Sequence, residues 1–438
     1  MKRAAVIPLM LVIAMVFSSC SFKISSSVDD LISPVSPFGD NADIKEAMDD
    51  FLPKGYSLKT PNQGEFITAY NFLDIDSDGK DEAIAFYEPS DNLGTLYMAV
   101  IKNSGDNWNV VENIEGFGAD VSSLGFEDVT GNGKNDLIVC WDAISKSVNH
   151  ELALYEYGSN KQNSKLNCFY HGITVNNYIA VDMTGDKTKE LLLFEISSGN
   201  YSRAKAELYS FKNGSEELLG ETKLDAHISS YINLTVENYD GENRVYADAL
   251  GTDGSSLLTE MIYWSDGYDS IISPFYQYSS GLTSGTTRSV IIPSMDVNGD
   301  GRIEIPCDMG LKKLPKSVAC CDWRVHKNDY LAHTDYSISP KKEKYLVIIP
   351  DKYIERIRVK YDVDNRLMTV FSTEGGGEVF SVKSVLKARY KKKDYKDYTR
   401  ILEDKGYYYL AKASNNKNIN ITVEDLKSLI KNINQEEN

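Results

Sequence analysis

The chain has 438 residues, of which 42% are hydrophobic and 25% charged, a balance that excludes both wholesale disorder and a bundle of membrane spans. Lys plus Arg number 47 against 64 Asp plus Glu, a net charge of −17. Nucleic acid is therefore not expected as a partner, because neutralising phosphates takes clustered cations, whereas an acidic balance suits loops that bind metal cations.

The N-terminus reads Met1-Lys2-Arg3, then an apolar run from Ala4 to Phe17, then Ser18-Ser19-Cys20. These are the parts of a secretory signal, and the apolar run falls short of the roughly 20 residues that cross a bilayer as a helix. Val16-Phe17-Ser18-Ser19-Cys20 resembles a bacterial lipobox, with Phe17 where Leu is commoner. The resemblance implies cleavage before Cys20, diacylglycerol on its sulfur, a further acyl chain such as palmitate, and a mature protein anchored outside the cell membrane. Two acyl chains anchor stably where one is marginal. Residues 1–19 are thus expected to be a signal peptide. Residues 20–55 read as a lipidated tether, with Ser25 to Ser27, Pro34 and Pro37, and a short helix from Ile44 to Phe51. Such a tether spans on the order of 25 Å, which keeps the body near the membrane. Tyr56-Ser57-Leu58-Lys59 is expected to supply an outer strand that closes a ring against its last unit.

From residue 56 a repeat appears. Asp74-Ile-Asp76-Ser-Asp78-Gly79-Lys80-Asp81-Glu82 recurs as Asp128-Val-Thr130-Gly-Asn132-Gly133-Lys134-Asn135-Asp136. It recurs again as Asp182-Met-Thr184-Gly-Asp186-Lys187-Thr188-Lys189-Glu190 and as Asp296-Val-Asn298-Gly-Asp300-Gly301-Arg302-Ile303-Glu304. The first three copies step by 54 residues, and the last lies about two periods on. Midway, Asn238 to Tyr246 keeps the place but has lost the closing acid. Short apolar runs flank each loop, such as Ala83 to Tyr87 and Leu96 to Ile101, and Asn, Gly, Ser and Asp clusters separate them, the pattern of antiparallel strands. Four strands per unit of this length is the blade of a β-propeller, so a mainly β chain with five four-stranded blades is expected over 56–340; six or seven sheets would overturn that count.

Oxygen donors at positions 1, 3, 5 and 9, with the backbone carbonyl of position 7, suit a hard cation that takes roughly six to eight oxygens, and Gly at position 6 permits the turn. The loops close at position 9 between strands, unlike an EF-hand, which closes at position 12 between helices. Spacing and recurrence resemble the calcium loops of FG-GAP or VCBS repeats, as in integrin-type propellers. That resemblance implies an extracellular propeller braced by Ca2+ and used for binding and adhesion. Its ligands would be Asp74, Asp76, Asp78, Lys80 and Glu82; Asp128, Thr130, Asn132, Lys134 and Asp136; Asp182, Thr184, Asp186, Thr188 and Glu190; and Asp296, Asn298, Asp300, Arg302 and Glu304, with Lys80, Lys134, Thr188 and Arg302 giving carbonyls. Counting acids orders affinity as loop one, five, three, two, with dissociation constants of roughly 10⁻⁴–10⁻³ M. Lys187 at the turn position is expected to strain loop three.

Beyond residue 340 the pattern changes to a small α+β domain over 341–438. It holds strand-like runs such as Ile357 to Tyr361, a Gly375-Gly376-Gly377 turn, and a closing helix capped by Thr422 with Val423, Leu426, Leu429, Ile430 and Ile433 on one face. This part carries 21 basic and 15 acidic residues, so the acidity is concentrated in 20–340. The basic run Lys387, Arg389, Lys391, Lys392, Lys393, Lys396 reads as a solvated face or as a dock against the acidic repeats, with contact to anionic lipid or wall polymer as the alternative.

Catalysis finds little support. His150, His171, His227, His326 and His333 form no metal or nucleophile signature, and lone acids such as Asp142 and Asp248 read as turn or surface residues. Cys140, Cys168, Cys307, Cys320 and Cys321 form no disulfide framework. The chain reads as a monomeric, non-enzymatic surface lipoprotein that binds an envelope protein or polysaccharide. A propeller enzyme that cleaves glycans, with acids at a central channel, and an accessory of an envelope complex are the alternatives.

Overall fold

A computed structural model describes residues 40–433 except 106, 146, 159–164, 198–202, 312–313 and 329. The signal, Cys20 and the first part of the tether lie outside the described residues. The helix expected near Phe51 spans Asp40–Phe51.

The body is mainly β, a propeller-like succession of antiparallel sheets. Sheet one runs Asn71–Leu73, Glu82–Pro89, Tyr97–Asn103 and Trp108–Glu115. Sheet two runs Asp120–Glu127, Asp136–Asp142, His150–Tyr157 and Leu166–Val175, and sheet three Asn177–Val181, Glu190–Ser197, Arg203–Ser210 and Glu217–Leu224. Sheet four holds Ile228–Tyr239, Glu242–Gly251, Leu257–Ser265 and Ser270–Ile272. Sheet five begins with a bridge from Met295 to Glu304 and continues through Glu304–Asp308, Val318–Lys327, Tyr330–Pro340 and Tyr345–Ile349. Each repeat unit therefore corresponds to one sheet, and each loop joins its first strand to its second.

Burial explains why the strands read as they do. Second strands are covered on both faces, so Asp136–Asp142 is buried at every position and Glu82–Pro89 at all but one. The outermost Trp108–Glu115 alternates between buried or half-buried and exposed, because one face meets water. In sheet one, Ile84 and Phe86 pack toward Val139 and Trp141 of sheet two, while Ala83, Ala85 and Tyr87 face Ile44 and Met48 of the N-terminal helix. Leu152 with Leu191, Phe194 with Ala247, and Met261 with Ile305 continue the contact through sheets three, four and five.

Two expectations about the ends change. Tyr56–Lys59 pairs with Phe86 to Pro89, on the same edge of that strand as Asn71–Leu73, so it completes the first sheet and does not close a ring against the last. The boundary at residue 340 is crossed: Tyr345–Ile349 belongs to sheet five, and Ile430–Asn432 adds a further strand to it. Residues between them form sheet six, from Ile357–Asp362, Leu367–Ser372, Glu378–Leu386, Tyr407–Ala413 and Thr399–Glu403 in that order. Val359, Val370 and Val382 of sheet six share one core with Cys320, Ile338 and Val347 of sheet five. The last helix spans Val423–Leu429 with the expected Thr422–Asp425 capping box, but stops before Ile430, which enters the sheet.

The first strands of sheets two, three and four, together with residues 63–66, line one cavity of about 490 Å³. A parallel bridge from Gln63 to Ser123 fixes that segment beside sheet two.

Candidate functional site

The four loops share one construction. The position-1 carboxylate is wrapped by the backbone that follows it: Asp74 accepts from the Asp78 and Gly79 N–H groups, both at 3.0 Å, and Asp296 from Gly299 at 2.6 Å and Gly301 at 2.9 Å. Asp128 and Asp182 do the same. Position 5 accepts from the N–H of position 7, as Asn132 does from Lys134 and Asp300 from Arg302, each at 2.8 Å. Position 9 is buried and holds the start of the loop: Glu82, Asp136, Glu190 and Glu304 accept from the N–H groups of Ile75, Val129, Met183 and Val297. Positions 4 and 6 take positive φ in every loop. Glycine supplies it except at Ser77 (φ 60°) and at Lys187 (φ 75°), where the expected strain is found.

Grouped oxygens follow. Asp74, Asp76 and Asp78 form one cluster of carboxylates within 4.8 Å of one another, and Asp182, Asp186 and Glu190 form another. Burial pushes Asp136 up to about 6, opposed by the loop N–H groups and reinforced by Glu156. Burial likewise pushes Glu304 up to about 8, and Asp300, Asp296 and Asp335 add to it.

Sequence reasoning missed the residues that reach these loops from other strands. Lys102 bonds Asp76 and lies 3.1 Å from Asp78 and 3.2 Å from Glu82. Glu156 accepts from Asn132 at 2.8 Å, Lys212 pairs with Asp186 at 2.8 Å, and Asp335 accepts from Asn298 at 3.1 Å. One signal was available: Lys102 and Glu156 stand one 54-residue period apart. Loop side chains also stitch consecutive sheets together. Lys134 reaches the Asp76 carbonyl, Lys189 pairs with Glu127 at 2.6 Å, Asn243 donates to the Asp182 carbonyl at 2.6 Å, and Arg302 pairs with Glu237 at 2.7 Å. The degenerate fourth unit contracts to a two-residue turn at Asp240-Gly241, both at positive φ.

Two of the further cavities among the described residues gather polar and aromatic side chains. One, of about 400 Å³, is lined by Ser122, Asp142, His150, Asn62 and Gln63. Here His150 Nδ1 shares a hydrogen bond with Asp142, its Nε2 lies 3.4 Å from Ser122 Oγ, and Gln63 Nε2 donates to the same hydroxyl at 3.2 Å. Ser122 sits where the register shifts between Val121 and Ser123 and is 2% exposed. The line joins three strands of sheet two to the 62–63 segment and stands at the wall of the cavity. The other cavity, of about 920 Å³, lies between sheet three and the hairpin Tyr276–Gln277/Leu282–Thr283. Tyr276 and Tyr278 meet edge to face there at 5.1 Å, with Tyr278 72% exposed, opposite Arg203, Lys223, Glu221 and His227. The five cysteines among the described residues are free, four of them buried.

No family model matches the chain, and no curated protein does. Among solved structures it is similar to rhamnogalacturonan lyase YesW, at 14% identity over 74% of this chain and 66% of that one, with a TM-score of 0.35. A rhamnogalacturonan lyase of Bacillus licheniformis gives 12% identity, 74% and 71% coverage and a TM-score of 0.29. A candidate 6-phosphogluconolactonase of Bacteroides fragilis gives 14%, 72% and 90%, and 0.29. The chain spans 64% and 66% of the length of the lyases YesX and YesW.

Proposed function

We propose that this chain is a membrane-anchored extracytoplasmic propeller of five repeat-derived blades, braced by calcium, that binds a polysaccharide at the cell surface. The observation that carries the calcium reading is the loop construction. It recurs in four units, and in the second the buried Asp136 keeps Oδ1 without a hydrogen-bond partner. A hard divalent cation fits these oxygen sets, and its chemistry there is structural: it neutralises carboxylates that the fold holds together. Asp128, Asn132 and Asp136 would hold it in loop two, Asp296, Asp300 and Glu304 in loop five. The side-chain stitches put the second, third and fifth loops against the sheet before each, so a braced loop there braces two blades.

The cavity under Tyr276 and Tyr278 supports a glycan ligand over a protein one. Exposed ring faces beside Arg203, Lys223 and Glu221 offer stacking and planar polar contacts to a sugar ring, in a space of oligosaccharide size. The lipobox supports the location. The cavity along the inner strands has two acids in its lining, Glu65 and Glu127, and Lys189 holds Glu127.

The test is retention of envelope polysaccharides on the immobilised protein, in millimolar calcium and in chelator, with released sugar followed in parallel. Retention that disappears on Tyr278→Ala, without sugar release, is the expected result. Sugar release, or retention indifferent to Tyr278, would overturn the reading.

A further inference from the structure

We propose that the first loop, the richest in acids, holds Lys102 as its resident cation and takes no calcium, whereas the second loop takes the ion and draws Glu156 into its ligand set. The second half rests on the calcium reading above; the first half does not.

In loop one, Asp76, Asp78 and Glu82, three of the four anionic candidates, converge on one ammonium, and the Lys102 side chain is about three-quarters covered. Calcium at this point has to displace a charge that the chain itself holds at high effective concentration.

Register shows that the same place is used in opposite ways. Ala83 pairs with Ile101, which sets Lys102 opposite Glu82; Leu137 pairs with Tyr155, which sets Glu156 opposite Asp136. One position of the repeat, opposite the closing acid, thus carries a cation in sheet one and an anion in sheet two. In loop two the consequences are visible at Asp136. It is 1% exposed, its Oδ2 accepts from the Val129 and Thr130 N–H groups and the Thr130 hydroxyl, and its Oδ1 has no partner. A buried carboxylate oxygen left this way costs free energy that a bound cation recovers. Glu156 supplies further negative charge at the loop through its contact with Asn132. Acid counting within the nine residues ranked loop one first and loop two last; the strand opposite the closing acid reverses their order.

The experiment is calorimetric titration of the full chain with calcium chloride, beside the variants Lys102→Met, Lys102→Gln, Asp76→Asn and Glu156→Gln, with folding checked by circular dichroism. Both Lys102 variants are expected to bind one ion more than the parent. Asp76→Asn is expected to leave the parent's ion count unchanged, and Glu156→Gln to weaken one of its ions about tenfold. Loss of an ion in Asp76→Asn, or no added ion in folded Lys102 variants, would overturn the assignment of loop one. An unchanged isotherm for Glu156→Gln would overturn that of loop two. A parent that binds no calcium while Lys102→Met binds one sinks the calcium reading of loop two and leaves Lys102 in place.

Discussion

Lys187 holds a backbone conformation that L side chains disfavour, at φ 75°, in the place where the other loops put glycine. Lys187→Gly is expected to stabilise the protein by about 1 kcal/mol, read as a higher urea midpoint at unchanged slope; no gain would mean that the strain is relieved elsewhere in the loop. The closing acids make a second case. A carboxyl whose pKa is higher folded than unfolded binds more protons in the native state between the two values, so stability falls as pH rises through that window. For Glu304 the window runs from 4.5 to about 8, and for Asp136 from 3.8 to about 6. In chelator the melting temperature is therefore expected to decline from pH 5 to pH 8, and Glu304→Gln to flatten the decline. A melting temperature that rises over this range would contradict the burial of these acids without a counter-ion. Spacing alone found the closing acids, because their partners are backbone N–H groups within seven residues. It missed Lys102, Lys212 and Asp335, because no rule within a nine-residue window reaches a neighbouring strand.

Whole elements were easier to read than their joints. Apolar runs covered on both faces announce central strands, and the 54-residue step announces the units, since each sheet repeats one burial pattern. The contacts between units depend on side chains 58 to 66 residues apart, for which the repeat offers no separate signal. The joint between sheets four and five is the most consequential. Glu237 is 1% exposed; Arg302 Nε donates to it at 2.7 Å, the Ile303 N–H at 2.9 Å, and Tyr246 from within its own sheet. The fourth unit contracts to the Asp240-Gly241 turn, and this ion pair ties it to loop five. Removing Arg302 leaves the buried Glu237 with Arg244, at 3.8 Å, as its remaining cation, and Arg302→Ala is expected to cost about 2 kcal/mol in chemical denaturation. Arg302→Lys should recover part of that, since it restores charge without the fork. A loss below about 0.5 kcal/mol would make the pair an ordinary surface contact.

At the scale of the molecule, the change of pattern near residue 340 is real but does not mark where one folding unit ends. Sheet five needs Tyr345–Ile349 and Ile430–Asn432, two segments separated by the whole of sheet six, and local patterning cannot announce a strand that returns after such an excursion. The shared core makes the dependence energetic as well as topological. Tyr345, Val347 and Ile349 are buried in one core with Ile338 of their own sheet and Val359, Met368 and Val382 of sheet six. A chain cut after residue 340 would leave that face of sheet five in water: Val318, Cys320 and Ile338 would lose their cover, and the edge of Tyr330–Pro340 would lose its hydrogen-bonding neighbour. At about 1.5–3 kcal/mol for each large apolar side chain exposed, uncovering Val318, Cys320 and Ile338 costs an amount comparable with the 5–15 kcal/mol by which a domain is ordinarily stable. The truncated chain is expected to aggregate or to bind a hydrophobic dye, whereas one ending at residue 433 should melt like the full chain. A soluble, cooperatively melting fragment ending at 340 would show that the repeats close on themselves and that the sixth sheet is a separate domain resting on them.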